Sequence, residues 1–228
     1  MFYMSYWILV IGIAVIGWLV QANLKSKFEK YSQEPVRLTG REVAEKMLRD
    51  NNIHDVRVIS TPGSLTDHYN PVNKTLNLSE SVYNVASVAA AAVAAHECGH
   101  AVQHATAYAP LKFRSALVPV VSFASNWMQW VLLAGILLIN IYPGVLFAGI
   151  ILFASTTLFS FITLPVEINA SARALKWLDH SGLTSSAYQK DAEDALRAAA
   201  YTYVVAALSS LVTLLYYLSI FLGGRRRD

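Results

Sequence analysis

A stretch of 52 residues, Ser115 to Val166, contains no Asp, Glu, Lys or Arg. A soluble core does not absorb so long an uncharged run, whereas a helix of about 20 apolar residues crosses the hydrocarbon core of a bilayer. The run exceeds one crossing, and Asn140-Ile141-Tyr142-Pro143-Gly144 near its middle is a turn signal. It therefore reads as two spans, about 116–139 and 145–164, joined by a short loop. Two further uncharged stretches, 1–24 and 198–224, fit one span each. The first has no basic residue ahead of its apolar run, which favours a retained anchor over a cleaved signal. Composition agrees: 55% of residues are hydrophobic and 14% charged, with mean hydropathy +0.40, against roughly 25% charged in soluble domains.

Four spans put both polar segments, 25–114 and 166–197, on one side of the membrane, whichever way the chain is inserted. Lys25, Lys27, Lys30, Lys112 and Arg114 flank those segments and favour a cytosolic location. The terminal Arg225-Arg226-Arg227 argues the other way. A net charge of +3, with much of the surplus in that tail, disfavours a nucleic-acid partner. The lone Cys98 excludes an intrachain disulfide and any multi-cysteine zinc knuckle.

Within the first polar segment, Thr39-Gly-Arg-Glu42 has the form of a capping box and opens a helix to about residue 51. Short β-like runs follow at 56–60, 65–69 and 75–78, the last two flanking a hairpin loop at 70–74. The run at 75–78 is the expected free edge for an extended peptide. A long helix is then expected from Glu80 to about Tyr108, with an alanine-rich centre. In the second segment, Pro165 suits the first turn of a new helix ending near Gly182. Another helix begins near Ser185 or Ser186 and continues into the fourth span.

The long helix carries His96-Glu97-Cys98-Gly99-His100. Two histidines four apart project from one helix face, one turn apart. Both imidazoles can then meet one zinc ion, with Glu97 placed to act as general base on a water. A catalytic zinc needs a third protein ligand and an open position. His104 lies about 12 Å from His96 along a straight helix, too far to share an ion that His100 also holds. It reads instead as a group behind the ligands, a cleft-lining residue or a polar-facing side chain. Glu167, just past the third span and on the same side by parity, is the better third ligand. Its alternative role is a first-turn charge at a helix N-terminus. His68, Tyr69, Arg173, His180 and Tyr201 are candidate donors to the oxyanion of peptide hydrolysis. Cys98 points away from the two histidines and is assigned no chemistry.

The segment Ala95-His-Glu-Cys-Gly-His-Ala-Val-Gln-His104 resembles the motif of the YugP-type family of neutral, membrane-embedded zinc metallopeptidases. Leu65-Thr-Asp-His-Tyr-Asn-Pro71, Leu164-Pro-Val-Glu167 and Arg173-Ala-Leu175 resemble the same family, and so does the four-span layout. The resemblance implies one zinc ion bound by His96, His100 and Glu167, with Glu97 catalytic. More distantly, the chain is similar to the glutamate-zincins related to HtpX and the CAAX-processing protease. Those often place an Asp four residues after the ligand Glu, where it orients a metal-binding His. Ser171 stands there in this sequence, and a hydroxyl can accept the imidazole N–H less strongly.

The expectation is thus a mainly α integral membrane protein with four transmembrane helices and a small α+β zincin-like domain. Its segments are span 1–24, an α+β segment 25–114 with the motif helix at about 80–108, a helical hairpin 116–164, a ligand-supplying helical segment 165–197, span 198–224 and a basic tail 225–228. The expected activity is zinc-dependent hydrolysis of peptides or membrane proteins at the cell membrane, with a homo-oligomer or a membrane partner left open. The competing function is a non-catalytic zinc-binding adaptor or assembly and quality-control factor. The open ligand set disfavours it, since structural zinc sites are closed by four protein ligands. A metal transporter is disfavoured because no span carries a charged residue.

Overall fold

A computed structural model describes residues 2–183 and 186–224. In chain order the elements are α1 (Phe2–Tyr31), α2 (Gly40–Asp50), β1 (Arg57–Thr61), β2 (His68–Asn70), β3 (Thr75–Ser79), α3 (Glu80–Tyr83), α4 (Val88–Ala105), α5 (Ala109–Leu137), α6 (Pro143–Ser181) and α7 (Ser186–Gly224). The protein is mainly α. Among the described residues, four helical segments are long and apolar enough to cross a membrane: Trp7–Tyr31, Ala109–Leu137, Pro143–Ser181 and Tyr188–Gly223. The Arg225–Arg227 tail and Ser185 lie outside the described residues.

The chain divides into two compact units. One comprises Met1–Leu111 with Val166–Thr202, the other Lys112–Pro165 with Tyr203–Asp228. In the second unit α5 and α6 form the expected hairpin. Tyr142 N–H donates to Leu138 O at 2.7 Å to close the turn. Leu132, Leu146 and Ile150 are buried at its centre, against Phe153, Tyr217 and Phe221.

α6 departs from the sequence expectation. Pro165 does not start a helix; it lies inside a continuous one, as Pro119 does in α5. An internal proline removes an amide donor and crowds the preceding turn. Membrane-type helices tolerate this where neighbouring groups satisfy the freed carbonyl. The C-terminal stop is as expected: Gly182 takes φ +63°, a left-handed backbone that suits glycine.

The first unit has its own core. Thr39 and Glu42 make the expected capping box, with Thr39 N–H donating to Glu42 Oε2 at 2.8 Å. The apolar stripe of α2, Val43, Ala44, Met47 and Leu48, is buried with the alanines of α4. The strand order is β1-β3-β2, with β3 parallel to β1 and antiparallel to β2. The hairpin loop is where the sequence puts it. However, β3 is the central strand and wholly buried, so the run at 75–78 offers no free edge.

The expected helix 80–108 is broken into α3 and α4. The strap before α2 causes the break. Val36 N–H donates to Ala86 O and Val88 N–H to Glu34 O, at 3.2 and 2.9 Å. With that backbone held in a bridge, a new helix must start at Val88, and Ser87 caps it by accepting from Ala90 N–H at 3.2 Å. α1 is tied to the same unit: Lys27 and Tyr31 both reach the Asp194 carboxylate on α7.

Candidate metal centre

His96 and His100 project from one face of α4, with ring centroids 4.9 Å apart and ring planes nearly perpendicular. α6 brings Glu167 to them. Its Oε2 lies 3.3 Å from His96 Nε2 and 3.5 Å from His100 Nε2. One ligand-type atom from each of the three residues falls within 4.8 Å of the others, so the cluster can hold one metal ion.

The donor set fits zinc on two grounds. Ligands about 2.0–2.1 Å from one ion at tetrahedral angles lie about 3.3–3.4 Å apart, close to the separations found. Glu167 is 5% exposed, and its Oε2 is buried with no hydrogen-bond partner. An orphaned buried carboxylate oxygen is costly unless a cation faces it. The electrostatics agree. Burial alone would depress the His100 imidazole, but the Glu167 and Glu97 carboxylates outweigh it and its pKa stands above the ordinary value.

The outer nitrogens of both rings are also held. His96 Nδ1 is hydrogen-bonded to Ser171 Oγ at 3.0 Å, four residues after Glu167 on α6. His100 Nδ1 meets Gln103 Oε1 at 3.1 Å. Gln103 is fully buried, and its Nε2 donates to Val166 O at 2.7 Å and to Asn169 Oδ1 at 3.1 Å. These bonds stitch α4 to the turn of α6 that carries Glu167. Between them the helices touch backbone to side: a Cβ on Gly99 would lie 2.5 Å from Ala170 O.

Glu97 lies beside the cluster, half-buried. Its Oε2 accepts the Tyr69 N–H of β2 at 3.1 Å. Burial pushes the Tyr69 phenol up, and the His104 ring tilts against the Tyr69 ring at 6.0 Å. His104 itself is exposed and outside the ligand cluster.

The remaining expected donors are less well placed. His68 is exposed, with its Nδ1 at 2.8 Å from Thr66 O. Arg173 Nε donates to Asn169 Oδ1 at 2.8 Å. His180, 13 residues after Glu167 on the same helix, is roughly 20 Å along the axis from it. Tyr201 is half-exposed on α7. Sequence reasoning missed Gln103 and Asn169. Gln103 stands three residues after His100, a same-face helix spacing that could have flagged it.

Cys98 is fully buried, with Sγ against Ala44 O at 3.5 Å. Burial, reinforced by the Glu97 charge, pushes its thiol well above the ordinary value. A thiol of this kind is unreactive, because the thiolate is the nucleophile. Iodoacetamide is expected to leave Cys98 unmodified in the folded protein and to label it after denaturation, as read by mass spectrometry. Labelling at equal rates in both states would contradict the buried placement.

Residues 6–222 match the model of a family described as "Putative neutral zinc metallopeptidase". The chain is also 42% identical over 219 residues to "Putative membrane protease YugP" of Bacillus subtilis (strain 168), covering 95% of this chain and 96% of that protein. No solved structure matches it significantly. With nearly its whole length matched and a metal-type triad where the motif lies, the chain belongs to this zinc metallopeptidase family.

Proposed function

We propose that the protein is an integral-membrane zinc endopeptidase that hydrolyses peptide bonds of membrane-associated proteins or peptides. The observation that carries this reading is the orphaned Glu167 Oε2 facing two imidazole nitrogens at 3.3 and 3.5 Å, with Glu97 alongside. His96, His100 and Glu167 are the ligands and Glu97 is the general base. Zinc held there supplies Lewis acidity and lowers the pKa of bound water.

The chain's own groups do the rest. The Tyr69 N–H fixes one Glu97 oxygen and leaves the other to take the proton of the attacking water and return it to the leaving amine. An extended substrate runs beside β2, because β3 is closed on both sides and β2 is the strand that reaches Glu97. Ser171 and Gln103 hold the two imidazoles in orientation. Lys25, Lys27 and Lys30 in the last turns of α1 favour a cytosolic site.

The test uses the full chain purified in detergent. Wild type is expected to bind one zinc per chain and to cleave members of a broad peptide library, with cleavage lost to a chelator. Glu167→Gln is expected to weaken zinc binding by more than about 100-fold, since loss of even an outer partner costs 10–100-fold. Unchanged zinc affinity in Glu167→Gln would remove the carboxylate from the site. Stoichiometric zinc without cleavage of any peptide would favour the adaptor.

A further inference from the structure

The contacts behind His100 form a chain whose donor and acceptor roles are forced from two sides, by the Val166 carbonyl, which only accepts, and by Arg173, which only donates. Arg173 has only donors, so the Asn169 atom 2.8 Å from its Nε is the amide oxygen. The same oxygen faces the Gln103 amide at 3.1 Å, so the Gln103 atom there is the nitrogen, which also donates to Val166 O. A glutamine amide has one nitrogen and one oxygen. Its oxygen therefore faces His100 Nδ1 at 3.1 Å. That oxygen only accepts, so Nδ1 carries the hydrogen. An imidazole that holds a metal ion is neutral and carries one hydrogen, which leaves the lone pair on Nε2, the nitrogen turned toward Glu167. Gln103 is fully buried, so water cannot stand in for these partners. The reversed amide would set its oxygen against Val166 O at 2.7 Å.

We propose that Arg173 is a positioning residue: through Asn169 it reinforces the Gln103 amide, itself anchored on Val166 O, that keeps His100 as the Nδ1–H tautomer with Nε2 free to hold the ion. Arg173 is thereby withdrawn from the oxyanion-donor role that its sequence position suggested. The proposal rests on the zinc-site reading above and adds a determinant of metal affinity that touches neither ion nor ligand. Arg173 also lies over the Tyr108 ring at 5.9 Å, so its head group is held from two sides.

The experiment measures zinc affinity by chelator competition, and the visible spectrum of the cobalt-substituted protein, for the full chain in detergent. Arg173→Leu is expected to weaken zinc binding about 10–100-fold and to alter the cobalt bands. Arg173→Lys, which still donates to Asn169, is expected to restore affinity to within a few-fold. The double variant Arg173→Leu/Gln103→Leu is expected to bind no more weakly than Gln103→Leu alone, because both break one relay. Wild-type affinity in Arg173→Leu, or losses that multiply in the double variant, would overturn the relay. Should Arg173→Leu fail to fold, Asn169→Asp and Asn169→Leu carry the test. Asp keeps the oxygen and the affinity, and Leu loses both; equal affinities would overturn it. If wild type itself binds no zinc, the metallopeptidase reading fails. If wild type and all variants bind zinc alike, the relay alone fails.

Discussion

Glu97→Gln is expected to lower peptide hydrolysis by about 10²–10⁴-fold while leaving zinc bound at wild-type stoichiometry. The substitution keeps the side chain's shape, and its carbonyl oxygen can still accept the Tyr69 N–H that now meets Oε2 at 3.1 Å. What disappears is the ability to accept a proton from water and pass it on. Glu97 is not one of the three clustered ligand-type residues, so metal retention and hydrolysis should separate. Elemental analysis and a peptide-cleavage rate on the same preparation make the comparison. A variant that cleaves at the wild-type rate would remove Glu97 from the mechanism. One that loses zinc together with activity would make it a ligand or a structural support.

Gly99→Ala is expected to damage the site by a different route. In an isolated helix this change is stabilising by about 1 kcal/mol. Here the new Cβ would stand 2.5 Å from Ala170 O, a backbone atom that no side-chain rotation can move. α4 and α6 must part, and they carry His100 and Glu167 on either side of that contact. Overpacking of this kind costs about 1–3 kcal/mol, occasionally more, and it widens the ligand triangle. Lower thermal stability together with weakened zinc binding is the expected outcome, read by thermal unfolding with and without metal. A stability gain with zinc binding intact would show that the helices do not approach so closely.

Legibility in the sequence followed the range of the forces involved. The histidine pair needs only helix periodicity, and the Thr39–Glu42 capping box only a spacing of three, so both were visible. Glu167 required counting membrane crossings, because no local pattern links it to histidines 67 and 71 positions earlier. The break between α3 and α4 was not legible. Propensity favours one helix through the alanines, and the hydrogen bonds Val88 N–H to Glu34 O and Val36 N–H to Ala86 O override it. Pro165 misled for a related reason, since the local rule starts a helix there while α6 runs through it. The central place of β3 depends on β1 pairing parallel to it across the β2 hairpin, which short apolar runs do not encode. Gln103 looked like an ordinary polar side chain until α6 was seen to lie against it.

That the triad is split between α4 and α6 has a consequence for biogenesis. The imidazoles of His96 and His100 leave the ribosome 71 and 67 residues ahead of Glu167, with the whole hydrophobic hairpin still to be made. Until that hairpin is inserted and its returning strand of chain emerges, the nascent polypeptide holds only half of a coordination sphere. On the metallopeptidase reading, the ion can be held only once the hairpin has been made and Glu167 has emerged, with the last candidate span, Tyr188–Gly223, still to follow, and a protease so wired stays silent until then.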